Sequence, residues 1–274
     1  MRRLFAIAAV LASSACVDLV GANWDNKYVE RDEKRFSTSG KPEISLRTFD
    51  GSIEVKPWDK AEVEVIIEKR GPNKETVAEL QIEAAQTGNH ISVTVRQPRN
   101  MGIHWGNSAS ARLIVSAPAS SDVDARSGDG AIDIEQISGR VTLHSGDGSI
   151  RAHNMSGYVD VSTGDGSIDV DGRLSALRAH SGDGGVKIRA AAGSDAGEGW
   201  EISTGDGAVS LEIPEGFSGE LDARTGDGGV DVRNVALSNV IGEIRRNRVR
   251  GRLGSGGPPI KVRTGDGSIT IRRP

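Results

Sequence analysis

The feature that most constrains this chain is a short sequence that recurs seven times between about Asp124 and Ile271. Each copy reads Ser or Thr, then Gly-Asp-Gly, a small residue, Ile or Val, a polar residue and an aliphatic residue. The central aspartates are Asp129, Asp147, Asp165, Asp183, Asp206, Asp227 and Asp266, and subtracting their positions gives steps of 18, 18, 18, 23, 21 and 39 residues. A period of about 20 residues predicts a stacked repeat array, in which each repeat contacts its neighbours.

The residues after each Gly-Asp-Gly alternate between apolar and polar, which is the pattern of a half-buried strand. Three positions after each Asp stand Ile132, Ile150, Ile168, Val186, Val209, Val230 and Ile269, and five positions after it stand Ile134, Ala152, Val170, Ile188, Leu211, Val232 and Ile271. Stacking would place both columns inside as aliphatic ladders, with roughly 1.5–3 kcal/mol gained for each large apolar side chain buried. The sequence therefore predicts an all-β fold, a single-stranded β-solenoid resembling a β-helix, with a less regular β cap at its N-terminus.

The polar column between these ladders supports contact between successive coils. Its first four members, Asp133, Arg151, Asp169 and Lys187, alternate in sign. On neighbouring strands ~4.8 Å apart they would face each other as opposite charges, which favours pairing.

Two corners are predicted in each coil. The glycines on both sides of Asp are expected to supply a positive φ, and the Asp side chain is expected to bond to its own backbone. The Ser or Thr before each Gly-Asp-Gly predicts a ladder of hydroxyl groups beside this first corner. Ile137-Ser-Gly139, Met155-Ser-Gly157 and Gly172 indicate a second corner.

The N-terminus predicts an export signal. Two arginines precede a short apolar run from Phe5 to Ala12, and Ser13-Ser-Ala15 is typical of a cleavage site. The next residue, Cys16, is the one cysteine of the chain, so an internal disulfide is excluded. Its position resembles the lipid acceptor of bacterial lipoproteins, although Ser13 stands where such signals usually have Leu. Cys16 is therefore the candidate lipidation site, and plain cleavage near Ala15 or Ala22 is the alternative; a lipid would anchor the chain to a membrane.

The chain divides by pattern into four parts. Residues 1–15 are the signal peptide, 16–40 a tether, 41–120 an irregular β part or cap, and 121–274 the regular repeats; residues 23–40 also fit a first edge strand. An arginine-rich insertion explains the longest step between repeats. It holds Arg245, Arg246, Arg248, Arg250 and Arg252 and fits either an anion-binding segment or an edge strand that uses charge to block further pairing.

The strand Leu113 to Pro118, the sequence Asp122 to Gly130 and the closing sequence Gly256 to Gly267 resemble a bacterial family described as putative adhesins, a β-solenoid domain of unknown function. The resemblance extends over nearly all of the chain after Gly40. It implies a surface-associated protein without catalytic activity, and it brings no catalytic residues.

The repeated aspartates are the sharpest candidates for chemistry. A file of carboxylates could bind calcium, but Ca²⁺ requires six to eight oxygen ligands and each coil has one such turn, so a structural turn is the favoured interpretation. The five histidines show no metal-ligand spacing. His144 and His180 share a column two coils apart. We therefore expect no metal and no cofactor.

The sequence gives little support for an enzymatic function. The carboxylates occupy repeat-equivalent positions, as structural residues do, and a polysaccharide-active β-helix enzyme would instead need a dedicated pair of them in a groove. Trp105 and Trp200 could serve as sugar platforms, but packing is the favoured interpretation.

The sequence predicts a non-enzymatic envelope protein that acts as a scaffold or interaction surface, with an adhesin-like binder of glycan or matrix as the alternative. Its partners would be an envelope protein or glycan and a membrane, reached through the lipid anchor, and export argues against nucleic acid.

Overall fold

The computed structural model describes the backbone of residues 16–17 and the whole of residues 28–97, 109–240 and 246–273. The predicted signal peptide, the loop with His104 and Trp105, and Arg245 lie outside these residues. Within the described residues, no helix is long and apolar enough to span a membrane.

The fold is all-β, which confirms the predicted β-solenoid class. A single short helix, α1 (Lys74–Ala78), occurs among the described residues, and Asn73 caps its N-terminus. The strands are β1 (Cys16–Val17), β2 (Tyr28–Ser37), β3 (Glu43–Thr48), β4 (Ile53–Trp58), β5 (Glu62–Gly71), β6 (Gln81–Thr87), β7 (His90–Arg96), β8 (Ser110–Pro118), β9 (Asp122–Ser127), β10 (Ile132–Glu135), β11 (Ser138–Ser145), β12 (Ile150–Thr163), β13 (Ile168–Ser181), β14 (Val186–Ala190), β15 (Trp200–Thr204), β16 (Val209–Glu212), β17 (Gly219–Thr225), β18 (Val230–Arg233), β19 (Leu237–Ser238), β20 (Arg248–Leu253), β21 (Pro259–Thr264) and β22 (Ile269–Arg272).

Each coil contributes one strand before the Gly-Asp-Gly corner and one after it. The strands before the corner form the lead-in sheet, in the order β6, β7, β3, β9, β11, β12, β13, β15, β21, β17, β20, β19. The strands after it form the lead-out sheet, in the order β2, β5, β8, β4, β10, β12, β13, β14, β16, β22, β18. The long strands β12 and β13 run through the second corner and belong to both sheets.

The aliphatic columns pair in register, as the repeat predicts. Ile132 lies opposite Ile150, Ile150 opposite Ile168, and Ile168 opposite Val186. These side chains are at most 1% exposed and belong to one continuous core between the two sheets. Val230 and Val232, in the outermost strand of the lead-out sheet, are only partly buried.

At both ends of the stack, spatial order departs from chain order. The first coil, β3 with β4, lies between the later coil β7 with β8 and the coil that begins at β9. The last coil, β21 with β22, lies between β15 with β16 and the earlier coil β17 with β18. Simple stacking in chain order, which the seven aligned repeats suggest, is therefore wrong at the C-terminal end.

Antiparallel strands close the stack. At the N-terminal end, β5 and β2 extend the lead-out sheet, and β6 extends the lead-in sheet through a hairpin at Thr87-Gly-Asn89. The sequence left two alternatives for residues 23–40, a tether or a first edge strand. The structure has strand β2 in this range, and Arg31 on it pairs at 2.7 Å with buried Glu68. At the other end, β20 pairs antiparallel with β17 along six residues and with β19 along only two, so it lies near the edge of its sheet.

Candidate functional site

The Gly-Asp-Gly corner is held by a buried hydroxyl. In a representative coil, Ser181 Oγ donates to the carbonyl oxygen of Gly166 in the adjacent coil at 2.8 Å and accepts from the N–H of Gly184 in its own corner at 3.0 Å. The equivalent Ser or Thr bonds to the adjacent coil in every repeat, through Ser127, Ser145, Thr163, Thr204, Thr225 and Thr264. These side chains are at most 6% exposed, which makes the expected hydroxyl ladder a structural element and leaves it unavailable for chemistry.

The glycines of the corner are required by close packing of backbones. None of the fourteen in the seven repeats has a positive φ in the left-handed region, so the predicted conformational reason is wrong. A Cβ at Gly148 would instead overlap the carbonyl oxygen of Gly130 in the adjacent coil, and one at Gly166 would overlap that of Gly148. Positive φ occurs at the second corner, where Gly157 and Gly172 have values of 116° and 140°.

The repeated aspartates line one exposed edge of the solenoid. All seven are exposed, and none of their carboxylates makes a hydrogen bond or ion pair with the described residues, so the expected bond of each Asp side chain to its own backbone is not formed. Asp50 in the first coil is an eighth, half-buried member of this column. Burial and then repulsion from Asp129 raise its pKa.

One cluster of potential metal ligands occurs among the described residues, and an arginine already fills it. His153, Asp169 and Asp171 bring ligand atoms within 4.8 Å of one another. The Arg189 guanidinium lies 2.8 Å from Asp169 and 3.0 Å from Asp171, and His153 Nδ1 lies 2.6 Å from Asp171. Burial raises the pKa of Asp171. Hydrogen bonds from the backbone N–H of Asn154 and from the side chains of His153 and Arg189 outweigh the effect of burial and hold the pKa below its usual value. We interpret this cluster as a charge network that joins three coils.

The predicted alternation of charges is formed in part. Arg151 pairs with Asp133 at 3.3 Å, as expected. Asp169 pairs instead with Arg189, which lies diagonally across the next strand. A long arginine side chain can reach a diagonal neighbour on a sheet. The residue directly opposite Asp169 is therefore not the residue with which it forms its ion pair.

The lead-in sheet carries an open depression of the surface. It is an open groove of about 790 Å³ over β7, β3, β9 and β11, flanked by Glu83 of β6. Hydroxyl and charged side chains line it, among them Ser45, Arg47, Ser92, Thr94, Asp124 and Thr142. Sequence reasoning missed this groove because its strands come from coils that are not consecutive in the chain.

Ion pairs preorganise the groove. Asp124 lies 3.6 Å from Arg47 and 3.1 Å from Arg126. Lys41 pairs with Asp122 at 2.6 Å, and Asp122 also accepts from the N–H of Arg140. Burial raises the pKa of Asp122, but Lys41 and the Arg140 N–H outweigh it and hold the pKa below its usual value. The groove therefore presents fixed charges of both signs beside hydroxyl groups.

The structure settles the role of Trp200. Its side chain is 1% exposed, its ring centroid lies 4.8 Å from that of Phe217, and its N–H donates to the carbonyl oxygen of Asp195. Packing, the favoured interpretation, is thus correct. Tyr158 lies beside the groove, and the Arg140 guanidinium stacks 4.0 Å from its ring centroid.

The two column histidines each contact a serine of the next coil. His144 Nδ1 lies 2.8 Å from Ser162 Oγ, and His180 Nδ1 lies 2.9 Å from Ser203 Oγ. A catalytic Ser–His pair also requires a third group that orients the imidazole. No described residue bonds to the second ring nitrogen of either histidine, and the pair simply repeats along the column. We interpret both pairs as contacts between coils.

Known proteins resemble this chain in structure and in sequence family. The structure is similar to that of a "putative adhesin" from Bacteroides fragilis, with 15% identity, a TM-score of 0.49 and coverage of 89% of this chain and 97% of that one. It is also similar to a "putative cell adhesion protein" from Clostridium sporogenes, with 13% identity, a TM-score of 0.42 and coverage of 90% and 100%. No curated protein matched the chain. The Toastrack DUF4097 family model matches residues 42–196 and again 119–272, and the chain therefore belongs to this family.

Proposed function

We propose that this chain is an exported, non-enzymatic envelope protein, anchored through a lipid on Cys16, that presents the groove of the lead-in sheet to a protein or glycan partner. The observation that carries the proposal is the groove itself. It combines about 790 Å³ of open space with hydroxyl groups and charges that ion pairs hold in place. Polar groups fixed before binding lower the entropic cost of recognition.

Binding suits this surface better than catalysis. Asp124 stands between Arg47 and Arg126, and Lys41 and the Arg140 N–H hold the pKa of Asp122 below its usual value. A general acid requires the opposite, a carboxyl with a raised pKa. A scaffold or adhesin-like binder uses such groups for specificity.

The position of Cys16 supports an anchored arrangement. Strand β1, which begins at Cys16, pairs with β2, the outermost long strand at the N-terminal end of the lead-out sheet. The groove lies on the lead-in sheet at that same end of the stack. A lipid on Cys16 would therefore hold the groove near the membrane, where envelope proteins and surface glycans are concentrated.

An adhesin-like binder of glycan is the second candidate. The hydroxyl groups of Ser45, Ser92 and Thr142 in the groove, with Tyr158 beside it, are groups that suit sugar hydroxyls and ring faces. The two candidates differ in the chemistry of the partner and share the same surface.

Site-specific photo-cross-linking in the native envelope tests the proposal. A diazirine-bearing amino acid replaces Thr142 in the groove or, as the matched control, Ser210, which is similarly half-buried on the outward face of the lead-out sheet. We expect an adduct from position 142 alone, and we expect Arg47→Glu to abolish it while the protein stays folded. Mass spectrometry of the adduct then separates protein from glycan. Adducts of equal yield at both positions, or none at either, would contradict the proposal.

A further inference from the structure

The inserted last coil creates a row of three arginines. On the outward face of the lead-in sheet, Arg224 of β17 lies directly opposite Arg263 of β21 on one side and Arg248 of β20 on the other. With strands ~4.8 Å apart, the three positions span ~10 Å along the stack axis. Like charges directly opposite each other destabilise a sheet, so this arrangement calls for a balancing anion.

The next positions on the same three strands add one net positive charge, and Glu201 of the adjacent strand β15 lies opposite Lys261 at the border of this region. Asp222 lies opposite Lys261 and Arg250, and Glu220 lies opposite Arg252. The basic patch, as we define it, consists of Lys261, Arg263, Arg224, Arg248, Arg250 and Arg252 with the acids Glu220 and Asp222. Six cations and two carboxylates give a net charge of +4, whereas the whole chain has a formal charge of −4.

The internal acids form ion pairs on one side of the patch, and Asp222 also interacts electrostatically with Arg263 on the other side. Asp222 pairs with Arg250 at 2.9 Å and with Arg248 at 3.7 Å, and Glu220 pairs with Arg252 at 2.9 Å. Lys261, Arg263 and Arg224 form no ion pair with the described residues, and Lys261 and Arg224 are exposed. Three cationic side chains on one flat surface are thus available to a partner.

We propose that the basic patch binds a linear acidic polysaccharide whose chain runs along the stack axis. The row of arginines repeats at the strand spacing, which is close to the length of one sugar unit in an extended glycan, so successive carboxylate or sulfate groups can meet successive guanidinium groups. Arginine binds such planar oxyanions in a bidentate manner. The site is separate from the groove, which lies at the other end of the stack, so the inference does not depend on the proposed function.

The composition of the patch favours a polysaccharide over an anionic membrane surface. The eight residues of the patch are all charged, and the one exposed large apolar side chain among the described residues is Val240, which follows β19 and lies outside the patch. Peripheral membrane binding usually combines basic charge with buried apolar area. A single acidic chain requires only charge and a flat surface.

The test measures binding of the mature, full-length protein to polygalacturonate, dextran sulfate, neutral dextran and vesicles of phosphatidylglycerol. Arg224→Ser with Arg263→Ser removes two unpaired cations of the patch. The control, Arg173→Ser with Lys187→Ser, removes the same charge from exposed positions outside it. We expect binding to at least one acidic polysaccharide and none to dextran, about tenfold weaker in the patch variant and nearly unchanged in the control.

Three outcomes would overturn the proposal. One is the absence of binding to both acidic polysaccharides at low salt. Another is an equal loss in the patch and control variants, which would indicate binding by overall charge. The third is binding to the vesicles with none to the polysaccharides, which would assign the patch to a membrane surface. Thermal unfolding of each variant checks that the fold is intact.

Discussion

The hydroxyl of Thr225 donates a hydrogen bond of 2.7 Å to the carbonyl oxygen of Gly267, a residue 42 positions later in the chain. In five other repeats, the carbonyl oxygen that accepts from the corner hydroxyl belongs to an earlier coil; the donors are Ser145, Thr163, Ser181, Thr204 and Thr264. The bond from Thr225 shows that the last coil lies beneath a coil that precedes it in sequence. Strands β21 and β22 are each paired on both sides, so the last coil in the sequence lies inside the stack. Strands that come earlier in the sequence therefore close this end.

We predict that Gly148→Ala severely destabilises the protein. Its Cβ would overlap the backbone of Gly130 and Ala131 in the adjacent coil, and the coils cannot separate without breaking the ladder. We expect a loss of about 3 kcal/mol or more in the free energy of unfolding. Gly185→Ala is the matched control, because its Cβ would lie 3.5 Å from the nearest atom. Urea denaturation measures both, and comparable losses in the two variants would refute the packing explanation.

Removing one corner hydroxyl should also destabilise the stack. Ser181→Ala leaves the carbonyl oxygen of Gly166 and the N–H of Gly184 without this partner in a buried position. We expect a loss of about 1–3 kcal/mol in the free energy of unfolding. Ser268→Ala, at an exposed position of the same repeat pattern, should change it by less than about 0.5 kcal/mol. A Ser181 variant as stable as the Ser268 variant would show that the ladder contributes nothing.

The stability of the protein should respond to pH through Asp50. Burial and repulsion from Asp129 raise the pKa of Asp50 in the folded state, so the folded state binds more protons than the unfolded state between the ordinary and the raised pKa. Ionised Asp50 therefore destabilises the fold at neutral pH, and this effect vanishes below its ordinary pKa of 3.8.

Asp50→Asn should accordingly raise the melting temperature at pH 7, with the gain disappearing near pH 3. Asp129→Asn should give a smaller gain through Asp50, because it removes only the second cause. The measurement is thermal unfolding of the three proteins between pH 3 and pH 7. A difference that is independent of pH, or largest in acid, would contradict the assigned cause.

The anchor is tested by the intact mass of the mature protein from a membrane fraction. We expect a diacylglyceryl or triacyl modification on Cys16, and we expect Cys16→Ser to abolish both the modification and membrane association. An unmodified N-terminus near Cys16 or Asn23 would instead indicate a freely diffusing mature protein, and it would favour the extracellular glycan binder.

The sequence predicted features that depend on one coil and its copy. The aliphatic ladders, the hydroxyl ladder and the Asp133–Arg151 pair all follow from a period that brings equivalent residues together. The reason for the corner glycines could not be read in the same way, because turn statistics describe a residue's own φ, whereas the constraint comes from the backbone of another coil.

The order of the coils was also hidden, and for a related reason. Thr225 and Thr264 stand before identical Gly-Asp-Gly sequences, so either coil could pair with the coil of Thr204. The groove and the basic patch depend on which coils become neighbours. Neither could therefore be located from the sequence, although Arg248, Arg250 and Arg252 of the arginine run lie on one strand of the patch, β20.

Disulfide trapping tests this coil order most directly. In a Cys16→Ser background, one variant carries Ser203→Cys with Arg263→Cys, which lie opposite each other on adjacent strands, and the other carries Ser203→Cys with Arg224→Cys, which β21 separates. Adjacent strands place the Cα atoms within disulfide range, and strands two apart lie ~10 Å from each other, beyond it. The structure predicts rapid cross-linking of 203 with 263 under mild oxidation and none of 203 with 224. The reverse result would place the coils in chain order and would remove the basis of the basic patch.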